Sequence, residues 1–178
     1  MADSVQSKFK KTARALVLNQ NDLHGGKFCA ALDRQHPRDL FDVYNYFKTE
    51  QITAEVKDSF LFYLLSHNRP MHELLDSRDL DIKSTYETEF RGMSTQEVSL
   101  SELLSARTML KTSLLASFDD QDRNFLLSFA NNAPDWNLYR HPKVKDYPSI
   151  RWKLFNLGKA DKSKRENQLP LLENVLFR

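Results

Sequence analysis

A mainly α-helical, multi-helix bundle-like domain is the fold class that the sequence predicts, and one short N-terminal strand is left open. Apolar residues recur at three- and four-residue intervals along most of the 178 residues, which is the spacing of one helix face. Glycine occurs four times and proline six times, a scarcity that disfavours a loop-rich β protein. We expect one domain over 1–178, with a conceivable boundary near 92–98.

The first predicted elements are a strand and a helix. The apolar run ARALVL at 13–18 is consistent with a strand at the edge of a sheet that another segment supplies. Asn21 or Asp22 can then cap a helix that runs to about Asp33. Pro37 suits the first position of the next helix, because its ring fixes φ near the helical value. The N–H that proline lacks would have no partner within the helix at this position.

The elements that follow are predicted from the same periodicity and from capping residues. Further helices are expected at 37–48, 53–66, about 82–90 and 99–116, with a short piece at 70–76. Ser99 and Glu102 form a capping-box pattern at the start of the longest of these helices. The remaining elements are a helix capped by Asp119 or Asp120 and ending near 131–136, a loop at 141–149, a helix from Pro148, a polar stretch at 158–168 and an amphipathic helix from Leu169 to Phe177.

Composition restricts the functional classes. The net charge is +2, so that only local clusters of basic residues could indicate nucleic-acid binding. Cys29 is the single cysteine, which excludes a disulfide framework and suits a reducing cytoplasm. The first eleven residues lack an apolar core of the secretory type, and the longest apolar run, at 60–65, is far too short to span a membrane. We therefore expect a cytoplasmic protein with no membrane partner.

The stretch KFCAALDRQHPRDLFD at 27–42 places unusually many charges beside an apolar helix pattern. A helical hairpin would bring Lys27, Arg34, Asp39 and Asp42 near one another, and Arg38 and Asp42 are four residues apart and can pair. Two interpretations stay open. The charges form ion pairs that fix the hairpin, or Lys27 meets a phosphate while an aspartate holds a base, a metal or a hydroxyl.

The run LHGGKFCAALDRQHPRDLFDV resembles the signature of the nucleotidyltransferase AbiEii/AbiGii toxin family, and APDWNLYRHPKVKDYPSIRWKLFNL is similar to the C-terminal region of that family. These are bacterial toxin–antitoxin and abortive-infection proteins with a polymerase-β-like fold. The resemblance implies catalytic roles for Lys27 and Asp39 and nucleotide binding by Lys27, Arg38 and Asp42. It also implies that the complete family enzyme uses Mg²⁺ and a nucleoside triphosphate, and that an antitoxin is a partner.

Two motifs that such an enzyme needs are missing from the expected place. No glycine is followed by serine, and the D-x-D spacing of Asp79 and Asp81 lies after the lysine motif instead of before it. We expect no metal site in this chain, which then corresponds to a truncated C-terminal helical portion that is inactive unless a complementing N-terminal half is supplied. Apolar surface left by the absent half would favour a homo-oligomer.

A second function class follows from the stretch RWKLFNLGKADKSKR at 151–165. Basic residues contact phosphates and aromatic residues stack on unpaired bases, so this stretch could bind RNA or a partner protein without catalysis. The basic candidates are Arg151, Lys153, Lys159, Lys162, Lys164 and Arg165. The alternative is a helix that buries Trp152, Leu154 and Phe155, followed by a solvated charged loop.

Overall fold

The computed structural model describes residues 7, 8, 10 and 15–178, without the side chains of 162 and 164–166. From Gln20 onwards the chain forms a succession of helices, and none of the described residues belongs to a β-strand. The α-helices are α1 (Gln20–Arg34), α2 (Pro37–Thr49), α3 (Ala54–Ser66), α4 (Met71–Leu75), α5 (Lys83–Glu89), α6 (Leu100–Ser117), α7 (Asp120–Ala130), α8 (Pro148–Lys159) and α9 (Lys162–Leu176), and a 3₁₀ helix spans Pro142–Asp146. The mainly helical prediction is confirmed.

Side chains at the helix starts set most of these boundaries. The carboxamide of Asn19, rather than Asn21 or Asp22, accepts the first free N–H of α1. Ser99 and Glu102 form the expected reciprocal capping box on α6. Asp119 forms a second capping box, with Asp122, at the start of α7. Each cap satisfies backbone donors that would otherwise have no partner at the helix end.

The closest packing is between α1 and α3. A Cβ atom added to Gly25 would lie 2.6 Å from the backbone nitrogen of Phe60, so only glycine allows the two helices to approach this closely. Phe28 and Phe60 are almost completely buried beside this contact. Residues before and after 92–98 contribute to one continuous hydrophobic cluster.

Three local predictions differ from the structure. Residues 15–18 form no strand, and the earlier part of the predicted strand, 13–14, lies outside the described residues. The expected loop at 141–149 contains the 3₁₀ helix. Helix α9 begins at Lys162 instead of Leu169 and keeps Pro170 in its interior. The start of α9 was predicted too late because its first two turns are entirely polar and show no apolar periodicity. In addition, Pro170 resembled the proline at a helix start.

Candidate functional site

The turn between α1 and α2 is only two residues long. Gln35 adopts a left-handed backbone conformation (φ 51°, ψ 31°) that ends α1, and its N–H donates to the Ala31 carbonyl. His36 then caps α2, because its Nδ1 accepts from the N–H of Arg38, and Pro37 occupies the first helical position as predicted. The hairpin is therefore short enough to place the two helices side by side.

The Gln35 side chain holds this turn against the rest of the domain. Its Nε2 donates to the carbonyl of Arg78 (2.8 Å), while its Oε1 accepts from the N–H of Leu80 (3.0 Å) and from Arg107 (2.9 Å). Gln35 is 2% exposed, so these bonds form away from competing water. The orientation of the hairpin is thus fixed by a buried junction with α6 and the loop before α5.

Two ion pairs cross the hairpin. Lys27 Nζ lies 2.9 Å from Asp42 Oδ2, and Arg34 Nη2 lies 2.8 Å from Asp39 Oδ1. The cations are seven residues apart on α1 and the carboxylates are three apart on α2, so each group has one partner on the facing helix. We call these four residues the charged face. The structure engages the four residues as two separate ion pairs, in which Lys27 pairs with Asp42 and not with Asp39.

The environment of Asp39 differs from that of the other three groups. Its side chain is 16% exposed, whereas those of Lys27 and Asp42 are 35% and 39% exposed. Its Oδ2 atom is buried and has no hydrogen-bond partner among the described residues. A buried carboxylate oxygen without a donor is costly, so Asp39 carries an unsatisfied acceptor at the charged face.

Arg38 lies away from the charged face. Its guanidinium donates to the carbonyl of Glu89 (3.3 Å), and the His36 imidazole lies 3.2 Å from the carboxylate of the same residue. The pairing of Arg38 with Asp42 that the sequence spacing allowed is not formed, since Asp42 is engaged by Lys27. Arg38 therefore connects α2 with α5.

His24 is a neighbour of the charged face that the sequence reasoning did not include. It precedes Lys27 by three residues on α1, and its ring packs 4.7 Å from that of Tyr46. Burial, and then the Lys27 ammonium, lower the pKa of His24 below its ordinary value. Its signal in the sequence was the i, i+3 spacing to Lys27, which places both residues on one side of the helix.

The carboxylate pairs with D-x-D spacing are already engaged. Asp79 contacts Arg107 and Lys111, and Asp81 accepts from the N–H of Lys83, the first residue of α5. The same spacing recurs at Asp120 and Asp122, which the sequence reasoning overlooked, and Asp122 pairs with Lys57 at 2.5 Å. In the part of the chain that the structure describes, no three metal-ligating side chains are grouped.

The exposed side of α8 differs from the helix that the sequence alternative described. Trp152 and Phe155 are 60% and 50% exposed, and their rings stack with centroids 5.8 Å apart. The Lys159 ammonium lies over the Phe155 ring at 4.1 Å. We call Arg151, Trp152, Phe155 and Lys159 the α8 surface. The expectation that Trp152 and Phe155 are buried is wrong, because α8 packs on the domain through Ile150.

Lys153 is buried on the packed side of α8. Its ammonium donates to the carbonyls of His67, Asn68 and Arg69, at 2.5, 3.2 and 2.9 Å, just beyond the end of α3. Burial lowers the pKa of Lys153 to about 8. Lys153 therefore fixes α8 to α3 and does not belong to the exposed basic set that the sequence suggested.

Fold and site together define a helical domain that presents paired cations and carboxylates on one hairpin, a combination suited to handling phosphate groups. The family model described as nucleotidyl transferase AbiEii toxin, Type IV TA system, matches residues 3–156. The chain belongs to this family, and a type IV toxin–antitoxin family implies an antitoxin as partner. No curated protein and no solved structure is detectably similar to the chain. None of the described helices is long and apolar enough to cross a membrane.

Proposed function

We propose that the charged face is the nucleotide-facing part of a cytoplasmic nucleotidyltransferase toxin. Lys27 contacts a nucleotide phosphate, Asp39 acts on the acceptor or its hydroxyl, and Asp42 and Arg38 support them by holding Lys27 and α2 in place. The observation that carries the proposal is the two partly exposed ion pairs on one hairpin, one of which leaves Asp39 Oδ2 without a hydrogen-bond partner among the described residues. Membership in the nucleotidyl transferase family supports it.

The chemistry of each group fits this role. Exposed ion pairs contribute roughly 0 to 1 kcal/mol, so an arriving phosphate can replace Asp42 as the partner of Lys27 at small cost. A positioned ammonium then stabilises the charge that develops on the transferred phosphoryl group. The partly exposed Asp39 carboxylate, which Arg34 holds through Oδ1, can accept the proton of an attacking hydroxyl.

A complementing polypeptide is part of the proposal. The described residues contain no group of three metal-ligating side chains. We propose that the isolated chain is inactive, and that a segment with Gly-Ser and Asp-x-Asp motifs provides the metal site. Leu16 and Val17 are 106% and 85% exposed, and this apolar surface supports docking of that segment or self-association into a homo-oligomer.

A nucleotide-transfer assay with and without a polypeptide that carries these motifs tests the proposal. We expect transfer only in the mixture, and a loss of about 10²- to 10³-fold when Lys27 is changed to alanine. Lys48→Ala is the matched control, since Lys48 is an exposed lysine of the same hairpin that bonds to Gln96 instead of a carboxylate. Equal activity of Lys27→Ala and Lys48→Ala would contradict the role of Lys27.

RNA binding by the α8 surface is the second candidate. The stacked and exposed rings of Trp152 and Phe155, next to Arg151 and Lys159, favour it over a purely structural helix. Base stacking contributes about 1–3 kcal/mol per base, so Trp152→Ala should weaken binding of a single-stranded RNA roughly 5- to 150-fold in fluorescence anisotropy. Met109→Ala removes a similarly exposed apolar side chain on α6 and serves as control.

Charge dependence separates the RNA candidate from a protein partner. Alanine replacement of Lys159, Lys162, Lys164 and Arg165 should reduce the affinity for RNA and flatten its salt dependence. Binding that is insensitive to salt would exclude the nucleic-acid candidate. It would leave a protein as the ligand of the α8 surface.

A further inference from the structure

A cavity of about 490 Å³ lies between the N-terminal ends of α1 and α3 and the segment at 139–147. We call it the acidic cavity. Its volume lies within the range of small-molecule sites, roughly 300–1,000 Å³. It shares no lining residue with the charged face or with the α8 surface, so an inference about it does not depend on the proposed function.

Carboxylates dominate the polar lining of the acidic cavity. Asp22, Glu55 and Asp58 contribute three negative charges, against the single guanidinium of Arg140 and the imidazole of His141. Asp58 is 12% exposed and is neutralised from the rim, because Arg140 and His141 both approach its Oδ2, at 3.3 and 3.1 Å. Asp22 forms no ion pair among the described residues, whereas Glu55 accepts hydrogen bonds from Thr53 and from its own N–H and is attracted by Arg140.

Asp22 is held in place without being neutralised. The hydroxyl of Ser59 donates to Asp22 Oδ1 at 3.0 Å, which fixes the carboxylate between α1 and α3. An oriented carboxylate that bonds only to a neutral donor keeps its negative charge for a ligand. The Arg140–Asp58 pair also shows that a guanidinium fits against this wall.

Aromatic rings form the adjoining walls at nearly right angles to one another. The ring of Phe62 meets that of Tyr63 at 75° and that of Tyr147 at 81°, with centroids 5.6 and 5.5 Å apart. All three rings line this partly open cavity, and aromatic ring faces attract organic cations. Tyr147 is 53% exposed although it lies at the start of α8, which leaves its ring accessible from the cavity mouth.

From these walls we infer that the acidic cavity binds an alkylammonium or alkylguanidinium group, with the charge against Asp22 and Glu55 and the alkyl stem against the rings of Phe62, Tyr63 and Tyr147. The group can belong to a free amine or to a lysine or arginine side chain of a bound polypeptide. Neither the family match nor the charged face assigns a ligand to this place.

Isothermal titration calorimetry with two probes tests the inference. Agmatine represents the free cation, and the peptide acetyl-Gly-Arg-Gly-amide represents a side chain. The same peptide with citrulline, a neutral isostere of arginine, is the ligand control. Saturable binding of agmatine, of the arginine peptide or of both supports the inference, and the comparison between them identifies the source of the cation.

Variants locate the binding. Asp22→Asn keeps the acceptor for Ser59 and removes the charge, and Tyr147→Leu removes an exposed ring; each should weaken binding about tenfold. Glu97→Gln, an exposed carboxylate outside the cavity, should bind as the wild type does. Absence of saturable binding for both cations would overturn the inference, as would equal binding of the citrulline peptide. Unchanged affinity in Asp22→Asn would overturn it even if Tyr147→Leu failed to fold.

Discussion

Replacing Gly25 with alanine should destabilise the domain through the contact between α1 and α3. The added Cβ would lie 2.6 Å from the Phe60 nitrogen and 2.7 Å from two atoms of Ser59, one of which belongs to the backbone. A normal contact requires a separation larger by about 1 Å, and backbone atoms of a buried helix cannot move independently to provide it. The two helices must therefore shift against each other.

The size of the Gly25→Ala effect follows from two opposing contributions. Overpacking of a tight interior contact costs roughly 1–3 kcal/mol, and this contact lies at the upper end of that range because backbone is involved. Alanine is favoured over glycine inside a helix by about 1 kcal/mol. The net loss is therefore about 2 kcal/mol, equivalent to a fall in Tm of roughly 4–8 °C for a chain of this size.

Gly26→Ala is the matched control for Gly25→Ala. It stands one position further along the same helix, and its added Cβ would meet a ring carbon of Tyr63 at 3.2 Å, where a side chain can adjust. We expect a Tm equal to or slightly above that of the wild type, measured by circular dichroism at 222 nm. A Gly25→Ala protein as stable as the Gly26→Ala protein would refute the helix contact described here.

The other predictions concern two lysines. Lys153→Met removes the donor shared by three carbonyls and should lower the free energy of unfolding in urea by about 2 kcal/mol. Lys159→Met should change it by less than about 0.5 kcal/mol. Equal unfolding midpoints for the two variants would contradict the role of Lys153 in fixing α8 to α3. Because the pKa of Lys153 is about 8 in the folded chain and ordinary in the unfolded chain, the unfolded chain binds more protons between these values. Stability should therefore rise with pH above about 8, and Lys153→Met should lose that slope. For Lys27 and Asp42, a double-mutant cycle should give a coupling of about 0.2–1 kcal/mol, and a value above about 2 kcal/mol would show that the pair is too strong to exchange with a phosphate.

The sequence predicted well those features that depend on local chemistry. Pro37 and the Ser99–Glu102 pair act within one helical turn, so their effects can be read from the chain alone. The hairpin was predicted for the same reason, since a two-residue turn leaves little choice of geometry. The choice of ion-pair partners was not predicted. Whether Lys27 pairs with Asp42 or with Asp39 depends on the relative rotation of the two helices, which the residue spacing does not determine.

The errors at α8 have a common physical cause. A lysine is usually exposed and a tryptophan partly buried, so the sequence placed Lys153 outside and Trp152 inside. In the structure Lys153 is inside and Trp152 is outside. The carbonyls just beyond the end of α3 need a donor, and the Lys153 ammonium reaches three of them. Only the position of α3 relative to α8, which is a tertiary property, reveals that need.

The buried junction at Gln35 also affects how a ligand would meet the charged face. The turn cannot move without breaking three hydrogen bonds of the buried Gln35 side chain. The backbone that carries Arg34 and Asp39 is consequently ordered when the protein folds and not when a ligand arrives. Association at this face should lose little conformational entropy, and even a small anion could be retained there by few contacts.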